Sequence, residues 1–267
     1  MFNKANELKL IAKDIRRTIL KITHLKNTSH IGSNFSIVEI LVILYFKIIK
    51  HTPKKPNNPK RDRFVLSKGH ACLSLYIVLS KSGYFNSKSL EQYGDNGSKL
   101  MTHISHKVKG VEFSTGSLGH GINYAVGKAF YAKTMQKTWH TFVLISDGEL
   151  NEGSTWESLL FSSHHKLNNL TIIIDNNKIQ SLGRSKEIIN LTPLKEKFKS
   201  LNFKIFDIDG HNFNSLNKAL IFKSKYTKII IANTVKGKGV KFMENKILWH
   251  YKAPNKRELL NALNHLK

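Results

Sequence analysis

Cysteine is almost absent from this chain of 267 residues. Cys72 stands alone, so no intrachain disulfide can form and a disulfide-stapled scaffold is excluded. Acidic residues are scarce as well, 18 Asp and Glu against 43 Lys and Arg, a formal net charge of +25. Long hydrophobic runs are missing. The longest, residues 40–46, is bracketed by Glu39 and Lys47 and is far shorter than the roughly 20 apolar residues that cross a bilayer. The start, Met1-Phe2-Asn3-Lys4, lacks the apolar core and cleavage site of a secretion signal, so a reduced, cytoplasmic location is expected. Prolines number five, and Pro53, Pro56 and Pro59 fall together, marking one irregular surface loop.

What is present suffices for a substantial core, since 40% of residues are hydrophobic; disorder is excluded. One α/β domain over residues 1–267 is expected, without internal repeats. The positive charge is spread along the chain rather than gathered in an arm, and Lys, Asn and Ile are abundant together, as an AT-rich coding sequence would produce. Specific nucleic-acid binding is therefore not expected. The charge is explained at least as well by phosphorylated substrates or by an acidic partner subunit.

Apolar spacing predicts a helix over residues 3–26 through Leu8, Ile11, Ile15, Ile19 and Ile22. After a polar loop at 27–33, Ser36 is expected to cap a helix over 37–49 with Glu39 at its third position. A short strand at 63–67, a turn at Lys68-Gly69-His70 and a helix over 71–80 come next. A glycine-rich stretch from Ser114 to Gly121 opens a helix reaching about Met135. From there strands at 141–145, 170–174, 203–208 and 228–234 alternate with helices at 152–166, 191–200 and 213–222, and a last helix starts near Asn255. Continuous apolar strands separated by helices predict a parallel sheet with helices on both faces.

The chemistry concentrates at two strand ends. Ser146-Asp147-Gly148-Glu149 closes one strand and Asp175-Asn176-Asn177 the next, with Asn177 thirty residues after Asp147. In a parallel sheet ligands gather at the carboxyl edge, so one crossover brings the Asp147 carboxylate beside the Asn177 amide. Such oxygen donors suit Mg²⁺ or Ca²⁺, whose remaining positions can take phosphate oxygens. Gly148 lets backbone N–H groups approach an anion.

Asp-Gly-Glu, a helix, then Asn-Asn resembles the thiamine diphosphate signature of the transketolase family. Further ordered segments are similar to that family: Ser29-His30-Ile31-Gly32, the run from Asp62 to Ala71, the run from Gly110 to Gly119, Glu152-Gly153-Ser154-Thr155-Trp156-Glu157, Lys236-Gly237-Lys238-Gly239-Val240 and Trp249-His250. They cover only the family's N-terminal domain, so the chain resembles the N-terminal subunit of a two-gene transketolase. The resemblance implies a thiamine diphosphate-binding fold, transfer of a two-carbon ketol unit between sugar phosphates, and a partner carrying the pyrimidine-binding domain, in two copies of each chain. It implies that Asp147, Asn177 and the carbonyl of Ile179 ligate the metal. Ser146, Gly148 and Glu149 would lie with the diphosphate, and Gly116, Ser117 and Leu118 along the aminopyrimidine. His30, His70, His103 and His250 match active-site histidines, of which His30 and His250 are the expected proton relay, while His70 and His103 would orient substrate hydroxyl or cofactor phosphate. Glu157 matches a glutamate near the subunit contact.

His51, His140, His164, His165, His211 and His265 read as surface or packing residues, with His106 open. Trp156 and Phe161 are expected to pack in the crossover helix. Lys236-Gly237-Lys238-Gly239 is either a turn or a phosphate site. Departures from the family pattern include Ser146 for Gly, Ser117 for Pro, His120 for Gln, Thr102 and Ile104 around His103, and Tyr251 after His250. The alternatives are a deoxyxylulose-phosphate-synthase-like enzyme and a cofactor-binding scaffold subunit. Lys68-Gly69-His70-Ala71 and Trp249-His250 favour transketolase over the first, and Asp147, Asn177, His30 and His250 argue against the second.

Overall fold

Strand β2 (Thr141–Ser146) is buried at every position, and β3 (Leu170–Asn176) at every position but its last. Apolar side chains on both sides of a strand require cover on both faces, and the computed structural model, which describes residues 4–266, supplies it. With β1 (Arg63–Leu66), β4 (Lys204–Asp209) and β5 (Lys228–Asn233), these strands form one fully parallel sheet in the order β1-β2-β3-β5-β4.

The alternation of side chains along each strand divides the core in two. Phe142, Leu144, Ile173 and Ile230 point into one layer with α1 (Lys4–Lys26), α3 (Val38–Ile43), α4 (Cys72–Lys81), α9 (Phe213–Ile221) and α10 (Lys256–His265). Val143, Ile145, Ile172, Ile174 and Ile229 point into the other, against α5 (His120–Thr134), α6 (Gly153–His164) and α8 (Leu194–Lys199). The expected doubly covered parallel sheet is present. Every strand ends at the same edge, which therefore collects Lys68, Asp147, Asn177, Gly210 and Thr234 immediately after the sheet.

The segment before β1 departs from expectation. A helix, α2 (Ile31–Ser36), stands where a loop was expected, and the helix expected over 37–49 breaks at Ile37 (φ −104°, ψ 5°) and ends in a π-turn at Leu44–Ile48. Ser36 does not cap. Its hydroxyl donates to Asp175 Oδ2 at 2.7 Å and to the Ser33 carbonyl at 3.0 Å. Glu39 closes no capping box, because Arg16 and His211 take both its oxygens. In the region after β3, a short helix α7 (Ser185–Ile188) was not anticipated, and the helix expected from 191 begins only at Leu194. Pro193 disfavours helical backbone at Thr192. At the last helix, Asn255 and Glu258 do form a reciprocal capping box. Asn3, in the first expected helix, lies outside the described residues.

Candidate active site

The carboxyl edge opens into a cleft of about 200 Å³. Four histidines from four separate segments meet there. His30 precedes α2, His70 lies in a 3₁₀ turn after β1, His103 in the loop after α4, and His250 at the end of a 3₁₀ turn at Ile247–His250. The His30 ring lies 5.2 Å from that of His70, 5.5 Å from His103 and 5.0 Å from His250, centroid to centroid.

His30 sits in left-handed backbone, φ 70° and ψ 18°, a conformation a residue with a Cβ adopts at a cost. Its N–H donates to the His250 carbonyl at 2.7 Å, and the Asn34 amide donates to its carbonyl at 2.9 Å. Burial pushes the His30 imidazole down to about 4, helped by repulsion from His103, Lys236 and Lys68. Burial likewise takes His250 to about 3, with Lys236 and His30 adding to it, and moves His70 and His103 down. The cluster is therefore uncharged near neutral pH in the free chain, with lone pairs available to accept protons or hydrogen bonds.

Asp147 ends β2 as expected, and its carboxylate is already engaged. Oδ1 accepts from Gly148 N–H at 3.0 Å, and Oδ2 from Lys178 N–H at 2.9 Å and the Ser185 hydroxyl at 2.6 Å. Burial raises its pKa, opposed by the Ser185 bond. Asn177 is fixed from both ends, its Nδ2 donating to Asp175 Oδ2 at 2.9 Å and its Oδ1 accepting from Ile179 N–H at 3.1 Å. Among the described residues no group of three His, Cys, Asp or Glu forms a metal cluster. The candidate donors are instead one carboxylate, one amide oxygen and the Ile179 carbonyl, an all-oxygen set that suits a hard divalent cation.

Two buried lysines frame the same space. Lys68 follows β1, and its ammonium pairs with Asp175 beneath the cleft. Burial alone would raise the Asp175 carboxyl, but the Lys68 charge, with bonds from Lys68, Thr234 and Ser36, holds it below the usual range. Lys236 follows β5 and reaches the Ile179 carbonyl and His250 Nδ1, each at 2.9 Å. Burial, with repulsion from Lys68, brings its ammonium down to about 8. A cationic floor beside oxygen donors and Gly148 fits a diphosphate and its metal. The buried amide nitrogen of Gln180, which has no partner, lines the same cleft, and the Gln180 side chain stands 3.1 Å from where a Cβ on Gly148 would lie.

The cleft is lined by His30, His70, His103, Gly116, Leu118, Ser146, Asp147, Gly148, Asn177, Ile179 and His250. Ser117 and Glu149 are not among its lining residues. The Glu149 carboxylate is fully buried and serves the scaffold. It accepts from Ser67 and from Gly119 N–H at 2.9 Å, tying the ends of β1 and β2 to the start of α5. Lys68, Ser33, Gln180 and Ser181 line the cleft but are not among the expected site residues, and Lys236, which the sequence leaves open between turn and phosphate site, lines it too. The two lysines lie two and three residues beyond the ends of β1 and β5, close to the strand-end position that marked Asp147. Of the two readings of Lys236-Gly237-Lys238-Gly239, the turn is present, with Gly237 and Gly239 at positive φ, and Lys236 itself points into the cleft. His106 stays outside, exposed and bonded to the Ser114 hydroxyl at 2.7 Å. Tyr251 is 59% exposed with its ring 4.8 Å from His250. Trp156 packs as expected, donating to the Leu150 carbonyl, but Phe161 is 41% exposed and stacks edge-on against Phe130.

Residues 8–264 match the family model described as "Transketolase, thiamine diphosphate binding domain". The chain is 40% identical over 266 residues to one subunit of an apulose-4-phosphate transketolase of Actinobacillus succinogenes, covering 98% of this chain and 96% of that protein. A 6-deoxy-6-sulfo-D-fructose transketolase subunit of a Clostridium species is 36% identical over 244 residues, 90% of this chain and 88% of that one. The crystal structure of a transketolase from Campylobacter jejuni superposes with a TM-score of 0.91 at 31% identity, over 97% of this chain but only 43% of that longer one.

Proposed function

Because the chain belongs to the transketolase family, as an N-terminal subunit that carries its thiamine diphosphate-binding domain, we propose that it holds thiamine diphosphate and Mg²⁺ in the carboxyl-edge cleft and transfers a two-carbon ketol unit between sugar phosphates once a pyrimidine-domain subunit closes the site. The observation that carries this reading is the convergence in one cleft of the Asp147, Asn177 and Ile179 oxygens, the Lys68 and Lys236 ammonium groups and four uncharged histidines. Asp147, Asn177 and the Ile179 carbonyl would hold the metal, while Gly148, Gln180 and the lysines would face the diphosphate. The cofactor supplies the carbanion chemistry, and protein groups supply position and proton transfer.

In that scheme His30 and His250 accept and return the proton of the substrate hydroxyl. The uncharged resting imidazoles offer lone pairs for that proton, and an anionic diphosphate bound beside them would raise their burial-depressed values toward the range a general base needs. His70 and His103 orient the hydroxyls. Asp175 contacts no substrate; it braces Asn177 and Lys68 from below.

Apolar side chains on α5 and α6 support a partner contact on that face. Phe130, Tyr131, Leu160 and Phe161 are exposed there, as is Glu157, and such a face is what a subunit contact covers. The two similar subunits are named for different sugars, which fits a division in which this chain presents the cofactor and its partner grips the sugar.

The test is to purify the chain by itself and in complex with the pyrimidine-domain partner, and to measure cofactor binding and ketol transfer from a ketose phosphate to an aldose phosphate. The complex should bind thiamine diphosphate in a Mg²⁺-dependent way and turn over. Robust turnover by this chain alone, or a complex that binds no cofactor, overturns the reading.

A further inference from the structure

Outside the cleft, on the far side of the segment that follows β5, lies a buried charge cluster that the proposed function does not use. Arg16 of α1 grips Glu39 of α3 with two hydrogen bonds of 2.7 and 2.8 Å and donates a third, 3.0 Å, to the Phe35 carbonyl. The second Glu39 oxygen also faces His211 Nδ1 at 2.9 Å. The other ring nitrogen, His211 Nε2, accepts from the Val235 N–H at 2.9 Å. That acceptor role assigns the His211 proton to Nδ1, where Glu39 receives it. Burial would raise the Glu39 carboxyl, but Arg16, followed by His211, holds it at about 2.

Stability alone does not call for such a cluster, since apolar replacements of buried ion pairs are often neutral or stabilising. Its chain of contacts ends instead on the residue before Lys236. The two buried lysines of the cleft are secured differently. Lys68 is fixed at its tip by the Asp175 carboxylate, whereas the Lys236 ammonium contacts only neutral acceptors, the Ile179 carbonyl, His250 Nδ1 and, at 3.4 Å, the Gln180 carbonyl. A flexible four-carbon stem leaves that ammonium dependent on where its backbone is placed. The segment is pinned at successive residues: the Thr234 hydroxyl to Asp175, the Val235 N–H to His211, the Lys236 carbonyl to the Asn245 N–H at 2.9 Å, and the Gly237 N–H to the Gly32 carbonyl at 3.0 Å. Gly32 also makes room for the stem, since a Cβ there would stand 3.0 Å from Lys236 Cγ.

We propose that Glu39 and His211 are positioning residues, which hold the Val235–Lys236 backbone from outside the cleft so that the Lys236 ammonium stays at the cofactor end of the site. The inference rests on the cofactor reading above.

The experiment is a double-mutant cycle in the complex with the pyrimidine-domain partner, read by thiamine diphosphate affinity with Mg²⁺ and by hydrogen exchange at the Val235 amide. His211→Leu should speed exchange at Val235 and weaken cofactor affinity by about 10- to 100-fold, the range for outer partners of a cofactor site. Lys236→Met should weaken affinity by a similar factor, and the double variant should be no weaker than Lys236→Met alone, because both changes remove one contact. His211→Gln, which can place an acceptor near the position of Nε2, should restore most of the affinity. Should His211→Leu fail to fold, Glu39→Gln keeps the shape and should move both readouts the same way by a smaller factor. Unchanged protection of Val235, or factors for His211→Leu and Lys236→Met that multiply in the double variant, overturns the proposal. A wild-type complex that binds no thiamine diphosphate overturns the cofactor reading and this one together, whereas binding by the wild type with multiplying factors overturns this one alone.

Discussion

The two edges of the sheet hold the same pair of residue types with the same electrostatic perturbation, put to different uses. At the carboxyl edge burial takes His250 to about 3 and Lys236 to about 8; at the amino edge burial takes His140 to about 3 and Lys228 to about 8. Depressed values therefore do not by themselves distinguish a working site from a structural one. Partners do. The Lys228 ammonium caps the end of α9, bonding the Leu220 carbonyl at 2.7 Å and that of Phe222 at 3.0 Å. The His140 ring meets the Thr171 hydroxyl at 2.8 Å, and the His140 backbone N–H donates to Asp62 Oδ1 at 2.8 Å. Every contact there closes the scaffold on itself. At the carboxyl edge the same groups face a cleft, and one of its histidines is held in left-handed backbone.

The sharpest way to break this contrast is Asp147→Asn. If the carboxyl edge holds the metal, loss of its anionic ligand should abolish Mg²⁺-dependent thiamine diphosphate binding in the complex while thermal unfolding stays near wild type. Calorimetry with and without Mg²⁺ decides it, and unaltered metal-dependent affinity would remove Asp147 from the site.

Next in size come the histidines. His30→Ala and His250→Ala should each lower kcat by roughly 10²- to 10⁴-fold, the range for general acid–base groups, with cofactor affinity largely kept. His140→Gln should leave kcat of the folded complex unchanged. Steady-state kinetics on the three variants is the check, and a kcat loss in His140→Gln comparable to the other two would erase the distinction between the edges.

The lysines extend the comparison at smaller magnitude. Lys236→Met should weaken cofactor binding with little loss of stability, because the acceptors it frees line a cleft that water can enter. Lys228→Met should do the reverse, costing about 1–3 kcal/mol by leaving helix-end carbonyls without their donor and sparing cofactor affinity. Urea unfolding beside calorimetry separates the two, and cofactor loss in Lys228→Met would contradict the assignment.

Much of this contrast was legible in the residues themselves. The β-branched runs at 141–145 and 170–174 announce strands covered on both faces, and polar residues directly after them mark the edge where a ligand sits. Asp147, Asn177 and the four histidines follow from that logic and from the family resemblance. What escaped was placement that only tertiary contacts decide. Residues 31–36 are Gly, Ser, Asn and apolar residues without helical periodicity, yet they form a buried helix because Asn34 and Ser36 find partners on α4 and β3. Glu39 has the spacing of a helix cap and is used instead by Arg16 and His211. His211 itself looks like any of the other histidines until the fold places it against Val235.

The smallest expected effect concerns acid. His140 titrates near 6.5 when unfolded and at about 3 when folded, so between those values the unfolded chain binds the extra proton. Its contribution to stability is complete above pH 6.5 and is lost progressively as the pH falls toward 3, by at most about 1.4 kcal/mol per pH unit. His250, lowered to about the same value, should behave alike. Glu39 has the depressed carboxylate pattern, and its contribution disappears only below about 4.5, as pH falls toward 2. Urea unfolding of the complex without added cofactor at pH 7.5 and 5.5 isolates the histidines. His140→Gln and His250→Gln should each reduce the stability lost between those two pH values by about 1 kcal/mol, whatever each substitution does to stability at pH 7.5. The readout is the difference between the two pH values, so a general destabilisation cancels. Equal flattening in the two variants, with activity lost only in His250→Gln, is the result that matches perturbation at both edges and function at one. An unchanged slope in His140→Gln would show that burial at the amino edge does not exclude the imidazolium.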